Sequence, residues 1–471
     1  PRRRGMTRLG LRQGMRRIAP LAWPVFVGQV AVIAFSTIDT AMVARTTATE
    51  LAALAIGAAV YISVFVGLMG IVLAVGPIAG QLFGAGKLRE CGHEVQQAIW
   101  LAVCLALPGC LILLVPEPFL ALSRAEPAVA AKVRTYLGGL AFALPPALVF
   151  TAYRGFNVAV SRPKAVMAMQ VAGLALKVPI NAVLVFGIAW PTPFGELRLP
   201  ALGVAGCAMA TAIVMWCQLG AALWLLRSDP FYRRFGLGRG ERLAAPRAAS
   251  LQALLRLGVP IGLATVVEVT GFTFMAFFVS RIGATAVAGH QIAANMVSMM
   301  FMLPLAIANA ASTLVAQQIG AGDAADARRI GRAGLEVGVA IAAALGGAVY
   351  LAREHVVGLY TANPVIVAAA LPLLAWVALF HVADAAQTIA AFVLRAYRIA
   401  TMPLVVYVFA VWGIGLGGGY VAAFDLAGIS PAWMRGARGF WSMSTFGLTV
   451  AGLGMTALLA SKLRRDVRAT A

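Results

Sequence analysis

Charge is scarce in this sequence. Asp and Glu together number 17, Lys and Arg 38, and His 4 in 471 residues, while 61% of the side chains are hydrophobic. With a mean hydropathy of +0.88, such a chain has too few polar groups to cover a water-exposed globule. Cysteine is also sparse. Cys91, Cys104, Cys110, Cys207 and Cys217 fall at no metal-ligand spacing, and all but Cys91 lie in apolar runs, so they read as small packing residues. No HExxH string, no paired intramembrane aspartates of the protease type and no Ser/His pairing occurs, so neither an enzyme nor a cofactor is expected. The string Gly84-Ala-Gly-Lys resembles a phosphate-binding loop but has Gln81 for its first glycine and Leu88 for its Ser or Thr. It reads as a helix cap and tight turn.

What the chain has in abundance is apolar length. Twelve runs of about 20 residues or more, enough to cross a hydrocarbon core of about 30 Å, fall near 18–42, 52–83, 94–115, 130–153, 165–190, 202–226, 254–280, 287–318, 330–352, 364–394, 401–424 and 440–461. The expected fold is an all-α polytopic membrane protein of twelve transmembrane helices. Turn signals stand between runs at Pro116-Glu-Pro, Ser161-Arg-Pro and Pro191-Thr-Pro-Phe-Gly.

A net charge of +21 raises the question of nucleic acid, and the distribution of Lys and Arg answers it. With the N-terminus inside, 28 of the 38 lie in or beside cytoplasmic segments, 9 outside, and one, Lys177, at mid-membrane. This is the positive-inside pattern, which places both termini in the cytoplasm. No aromatic-interleaved basic surface accompanies it, so a nucleic-acid partner is excluded and the lipid bilayer is the expected one. The basic flank before the first run, with no small-residue cleavage pattern after it, reads as a retained anchor.

The runs are two copies of six. Residues 24–86 align with 260–322 at a constant offset of 236, giving 17 identities in 63 positions without a gap. Roughly five would arise by chance in so apolar a chain, so this is an internal duplication. Both segments begin with Pro and end in Gln-x-x-Gly-Ala-Gly, at Gln81 and Gln317, and an echo of Arg154 before Pro163 stands at Arg395 before Pro403. The expected domains are a basic tail (1–17), a first lobe (18–226), a polar Arg-rich cytoplasmic linker (227–250), a second lobe (251–461) and a C-terminal tail (462–471). Two six-span copies share one orientation, so they are related by a pseudo-two-fold axis along the membrane normal, as in alternating-access transporters.

Charges inside the runs carry the function, since each costs about 2.5 to 3.5 kcal/mol at a helix centre. They are Asp39, Lys177, Glu268 and Asp384, and the acids break the repeat, for Glu268 aligns with Val32 and Asp39 with Met275. Two carboxylates sharing an apolar cavity can trade a proton for another cation. For Na⁺, Glu268 and Asp384 with the amide oxygens of Gln291 and Asn295 are the hard ligands on offer. Phe272 and Met296 belong to a Met- and Phe-rich wall suited to varied apolar substrates. Lys177 and Asn181 sit one turn apart beside Pro179, and a Lys side chain of about 6 Å reaches Asp39 if spans 1 and 5 pack together.

The strings Ser36-Thr-Ile-Asp39-Thr-Ala-Met42, Leu51-Ala-Ala, Gln81-x-x-Gly-Ala-Gly, Glu268-Val-Thr, Gly289-His-Gln-Ile-Ala and Phe380-His-Val-Ala-Asp384-Ala-Ala-Gln387 resemble the NorM-type branch of the multidrug and toxic compound extrusion transporters. The likeness covers nearly the whole chain. It implies a monomeric antiporter of the cell inner membrane that exports small cationic or aromatic drugs against inward Na⁺ or H⁺. Carried over, Glu268 and Asp384 form the second-half cation site, and Asp39 is the first-half acid. Phe380 stands where some relatives carry Tyr, and Lys177 where relatives carry Asn. A lipid-linked precursor flippase of the wider superfamily is the alternative. It should show several Arg at mid-membrane, and no clear one is legible.

Overall fold

The computed structural model describes residues 10–123, 126–192 and 195–470. Its twelve long apolar helices are α1 (Leu11–Val43), α2 (Ala48–Gly84), α3 (Leu88–Leu114), α4 (Pro127–Ala159), α5 (Pro163–Phe186), α6 (Val204–Ser228), α7 (Ala248–Ser280), α8 (Ala284–Gly320), α9 (Ala324–Leu351), α10 (Pro364–Ala396), α11 (Thr401–Phe424) and α12 (Ala437–Leu463). Each expected run maps onto one of them, and the fifth, 165–190, overruns α5 into the strand that begins at Ile188. The departure from an all-α fold is a two-stranded hairpin between α5 and α6, Ile188–Thr192 paired antiparallel with Gly195–Leu199, where the Pro191 turn signal stands.

The duplicated turns behave as helix caps. Ala85 N donates to Gln81 O and Lys87 N to Leu82 O around Gly86 at φ +74°, and Ala321, Asp323 and Gly322 at φ +78° repeat the arrangement. One helix differs between the copies for a covalent reason. Pro77 has no N–H to give Leu73 O, which is bonded instead by Gly76 N at 3.0 Å, and α2 breaks at residues 73 and 74. The aligned residue in the second copy is Thr313, and α8 runs through.

Two compact units form: Val27–Gly262, and Leu263–Ala471 together with Pro1–Phe26. The unit boundaries therefore fall inside α1 and α7, not in the 227–250 linker that separates the copies in sequence. Small residues explain the exchange. Gly258 and Gly262 on α7 let it cross α2 so closely that a Cβ on Gly262 would stand 2.4 Å from Gly67 O. Gly14 on α1 does the same against Ala333 of α9, and Arg17 grips Asp326 of α9 through two bonds of 2.8 and 2.7 Å. The linker is docked, not loose. Gln96 and Gln97 on α3 accept from the backbone N–H groups of Ala244 and Arg247 at 2.8 and 2.6 Å, and Trp100 donates to Ala244 O at 2.9 Å. Buried Tyr232 donates to Asn157 of α4 at 2.7 Å.

Within each unit the fourth helix of the copy is the hub. α4 packs on α2, α3 and α6, and α10 on α8, α9 and α12. This centrality places Asp384, on α10, at the middle of its unit.

Candidate functional site

Helical spacing builds the second-copy site. Phe380, Asp384 and Thr388 recur every four residues on α10, and Glu268, Phe272 and Met275 follow the apolar stripe of α7. The two faces meet around a cavity of about 340 Å³, with Glu268, Asp384 and Tyr407 as its polar lining beside Thr273, Ser298 and Ser444. Phe272, Met275, Phe301, Phe380, Val411 and Leu416 are among the apolar walls, and Phe272 meets Phe380 at 5.9 Å edge to face. Asp384 is buried, whereas Glu268 is half-buried. The two carboxylates interact electrostatically, and Glu268 also lies within reach of Arg395 and the Tyr407 hydroxyl.

Not every expected residue arrives there. Gln291 is exposed and absent from the lining, and Asn295 accepts a hydrogen bond from Tyr360 Oη at 2.8 Å instead. Both share a face of α8 with Ser298, which does line the cavity. At about 1.5 Å per residue Asn295 stands roughly 5 Å and Gln291 roughly 10 Å further along the axis. Met296 packs half-buried against the core, its Sδ 3.6 Å from Tyr360 Oη.

The first-copy acid has a different setting. Lys177 Nζ lies 2.8 Å from Asp39 Oδ2 and donates to Thr211 Oγ1 at 2.7 Å, and Asn181 Nδ2 donates to Asp39 Oδ1 at 3.1 Å. Lys177 also stands 5.1 Å from the centre of the Phe35 ring. The expected pair of Lys177 with Asp39 is thus formed, and Lys177 is only 1% exposed.

Tyr407, Arg395 and Thr211 were not singled out in advance. Thr211 leaves no mark inside an apolar run, and Tyr407 is one aromatic among many. Arg395 carried a usable signal, its echo at Arg154, which its charge alone had assigned to the cytoplasmic side. Tyr407 on α11 brings a hydroxyl to the cavity, next to the wide π-type turns of Phe409–Gly418.

A chain of two six-helix copies, with unmatched acids among membrane-length helices, has the architecture of a membrane transporter. A sequence model of the MatE family matches residues 24–183 and 260–421, one stretch in each copy, and the chain belongs to that family. It is 38% identical over 446 residues to the "Probable multidrug resistance protein NorM" of Aromatoleum aromaticum, covering 94% of this chain and 93% of that one. It is 37% identical to the protein of the same name from Chromobacterium violaceum, covering 96% and 94%. Among solved structures, "Crystal structure of MATE in the bent conformation" superposes with a TM-score of 0.84 at 16% identity, covering 97% of each chain, a likeness of fold.

Proposed function

We propose that this chain is a multidrug efflux antiporter of the inner membrane, a monomer with both termini cytoplasmic, exchanging cationic or aromatic drugs for inward Na⁺ or H⁺ by alternating access. The observation that carries the reading is the pairing of Glu268 and Asp384 in one cavity walled by aromatic and aliphatic side chains. Two carboxylates in a low-dielectric site demand positive charge, and Phe272, Phe301 and Phe380 offer faces to a flat organic cation. Drug and coupling ion then compete for the same charge, so entry of one releases the other. The names of the NorM relatives support drugs as the cargo.

An anionic lipid-linked cargo would need the opposite lining, and no Lys or Arg is among the residues that line the cavity. Purified protein in liposomes loaded with ethidium provides the test. An inward Na⁺ or H⁺ gradient should drive ethidium out faster than a collapsed one. Efflux indifferent to both gradients contradicts the proposal.

A further inference from the structure

The setting of Asp39 leads beyond a generic first-half acid. Its two oxygens are both engaged, Oδ2 by the Lys177 ammonium and Oδ1 by Asn181 Nδ2. Of the three N–H groups of the ammonium, two serve Asp39 and Thr211 at 2.8 and 2.7 Å, and the centre of the Phe35 ring lies 5.1 Å away. Tyr136 from α4 and Cys207 from α6 also lie in electrostatic reach of Asp39, and neither is cationic. One further atom is unsatisfied. Asn181 Oδ1, on a fully buried residue, has no hydrogen-bond partner.

We infer that Lys177 is a tethered cation filling a built cation site in the first copy, so that the exchangeable cation resides on Glu268 and Asp384 alone. Asp39 and Thr211 present carboxylate and hydroxyl oxygens to one buried point, the hard ligands that an alkali ion takes, and the unpartnered amide oxygen of Asn181 belongs to the side chain that donates to Asp39. Lys177 supplies the positive charge from its own side chain. A free cation entering there has to displace an ammonium that is held in place covalently and cannot diffuse away. The inference rests on reading the chain as a cation exchanger and fixes which of its acids takes part.

The experiment removes the tether and titrates sodium at constant ionic strength, with choline as replacement. Hydrogen–deuterium exchange is followed on peptides covering 27–43 and 163–186. In the wild type, sodium should leave these peptides unchanged. In Lys177→Met, which keeps Asp39 charged, sodium should slow their exchange about tenfold at about ten times its dissociation constant. Lys177→Arg should behave as the wild type. The double variant Lys177→Met with Asp39→Asn should fold without sodium and show no effect, and if Lys177→Met folds only in sodium, that rescue supports the inference. Sodium-dependent protection of 163–186 in the wild type overturns it, as does a folded Lys177→Met that ignores sodium. Because no arm requires transport, a protein that exports nothing but binds as stated would sink the proposed function and leave Lys177 standing as the tethered cation of the first copy.

Discussion

The acids of the two copies sit in helices of common origin and have opposite fates. Asp39 is bound on both oxygens by side chains of α5 and sealed, while Glu268 and Asp384 open onto a cavity of about 340 Å³ that holds no protein cation in its lining. Duplication supplied two scaffolds, but the acids stand at non-equivalent positions, and a lysine is paired with the first-copy acid. A scaffold keeps its symmetry because packing depends on Gly, Ala and Pro spacing. A site loses it when one ligand becomes a charge.

The largest effect should follow removal of the open acids. Glu268→Gln and Asp384→Asn keep side-chain shape, and each should reduce gradient-driven ethidium efflux from liposomes to the rate of empty vesicles. The yield of folded protein on size-exclusion chromatography should not change. If either variant pumps at the wild-type rate, the contrast between copies is lost.

Next comes the sealed acid. Asp39→Asn strands Lys177 without a counter-ion, which should cost about 3 to 5 kcal/mol of stability. Thermal denaturation in detergent should show this loss, and adding Lys177→Met should recover most of it. Additive losses in the double variant would mean that the pair is not the unit.

Glu50 is a smaller case, a polar clamp with no counterpart in the second copy, where Ala286 aligns with it. It accepts from Val204 N at 2.8 Å at the start of α6 and pairs with Lys132 of α4. Glu50→Ala should cost about 1 to 3 kcal/mol, read from the same melting curves. Ala286→Ser should be near neutral.

The smallest effects belong to the linker. Gln97→Ala should raise amide exchange of residues 244–247 several-fold and leave transport unchanged. Asp229 caps the short helix Pro230–Arg233, and its carboxyl is held below the usual range by the Phe231 N–H first and then by Arg162 at 2.6 Å. A carboxylate with a depressed folded value contributes fully above its unfolded value near pH 3.9, and loses the contribution as pH falls through the folded value. The Asp229→Asn difference in linker protection should therefore stay flat from about pH 5 to about pH 8 and vanish only in stronger acid.

Much of this was legible in the sequence because membrane solvent simplifies the code. Apolar length gave the twelve helices, the repeat gave the copies, and the cost of buried charge pointed to Asp39, Lys177, Glu268 and Asp384. Asp39, Lys177 and Asn181 met as the reach of a Lys side chain implied. The rest was hidden for definable reasons. Gln291 and Asn295 share the cavity-facing stripe of α8 but not its depth, which depends on how helices slide past one another. The unit boundaries inside α1 and α7 depend on glycine crossings that leave no hydropathy signal. Docking of the linker depends on Gln96 and Gln97, polar residues at the start of an apolar run whose partners are backbone groups nearly 150 positions away.

The most direct test of the central claim is equilibrium binding of ethidium to purified protein, by fluorescence anisotropy, in three forms: wild type, Glu268→Gln with Asp384→Asn, and Asp39→Asn with Lys177→Met. The open pair carries the exchangeable charge, so the first double variant should lose saturable, Na⁺- or H⁺-displaceable binding, and the second should keep the wild-type affinity within about threefold, or roughly 0.65 kcal/mol. Loss of binding in the Asp39/Lys177 form, with retention in the Glu268/Asp384 form, would contradict the account outright.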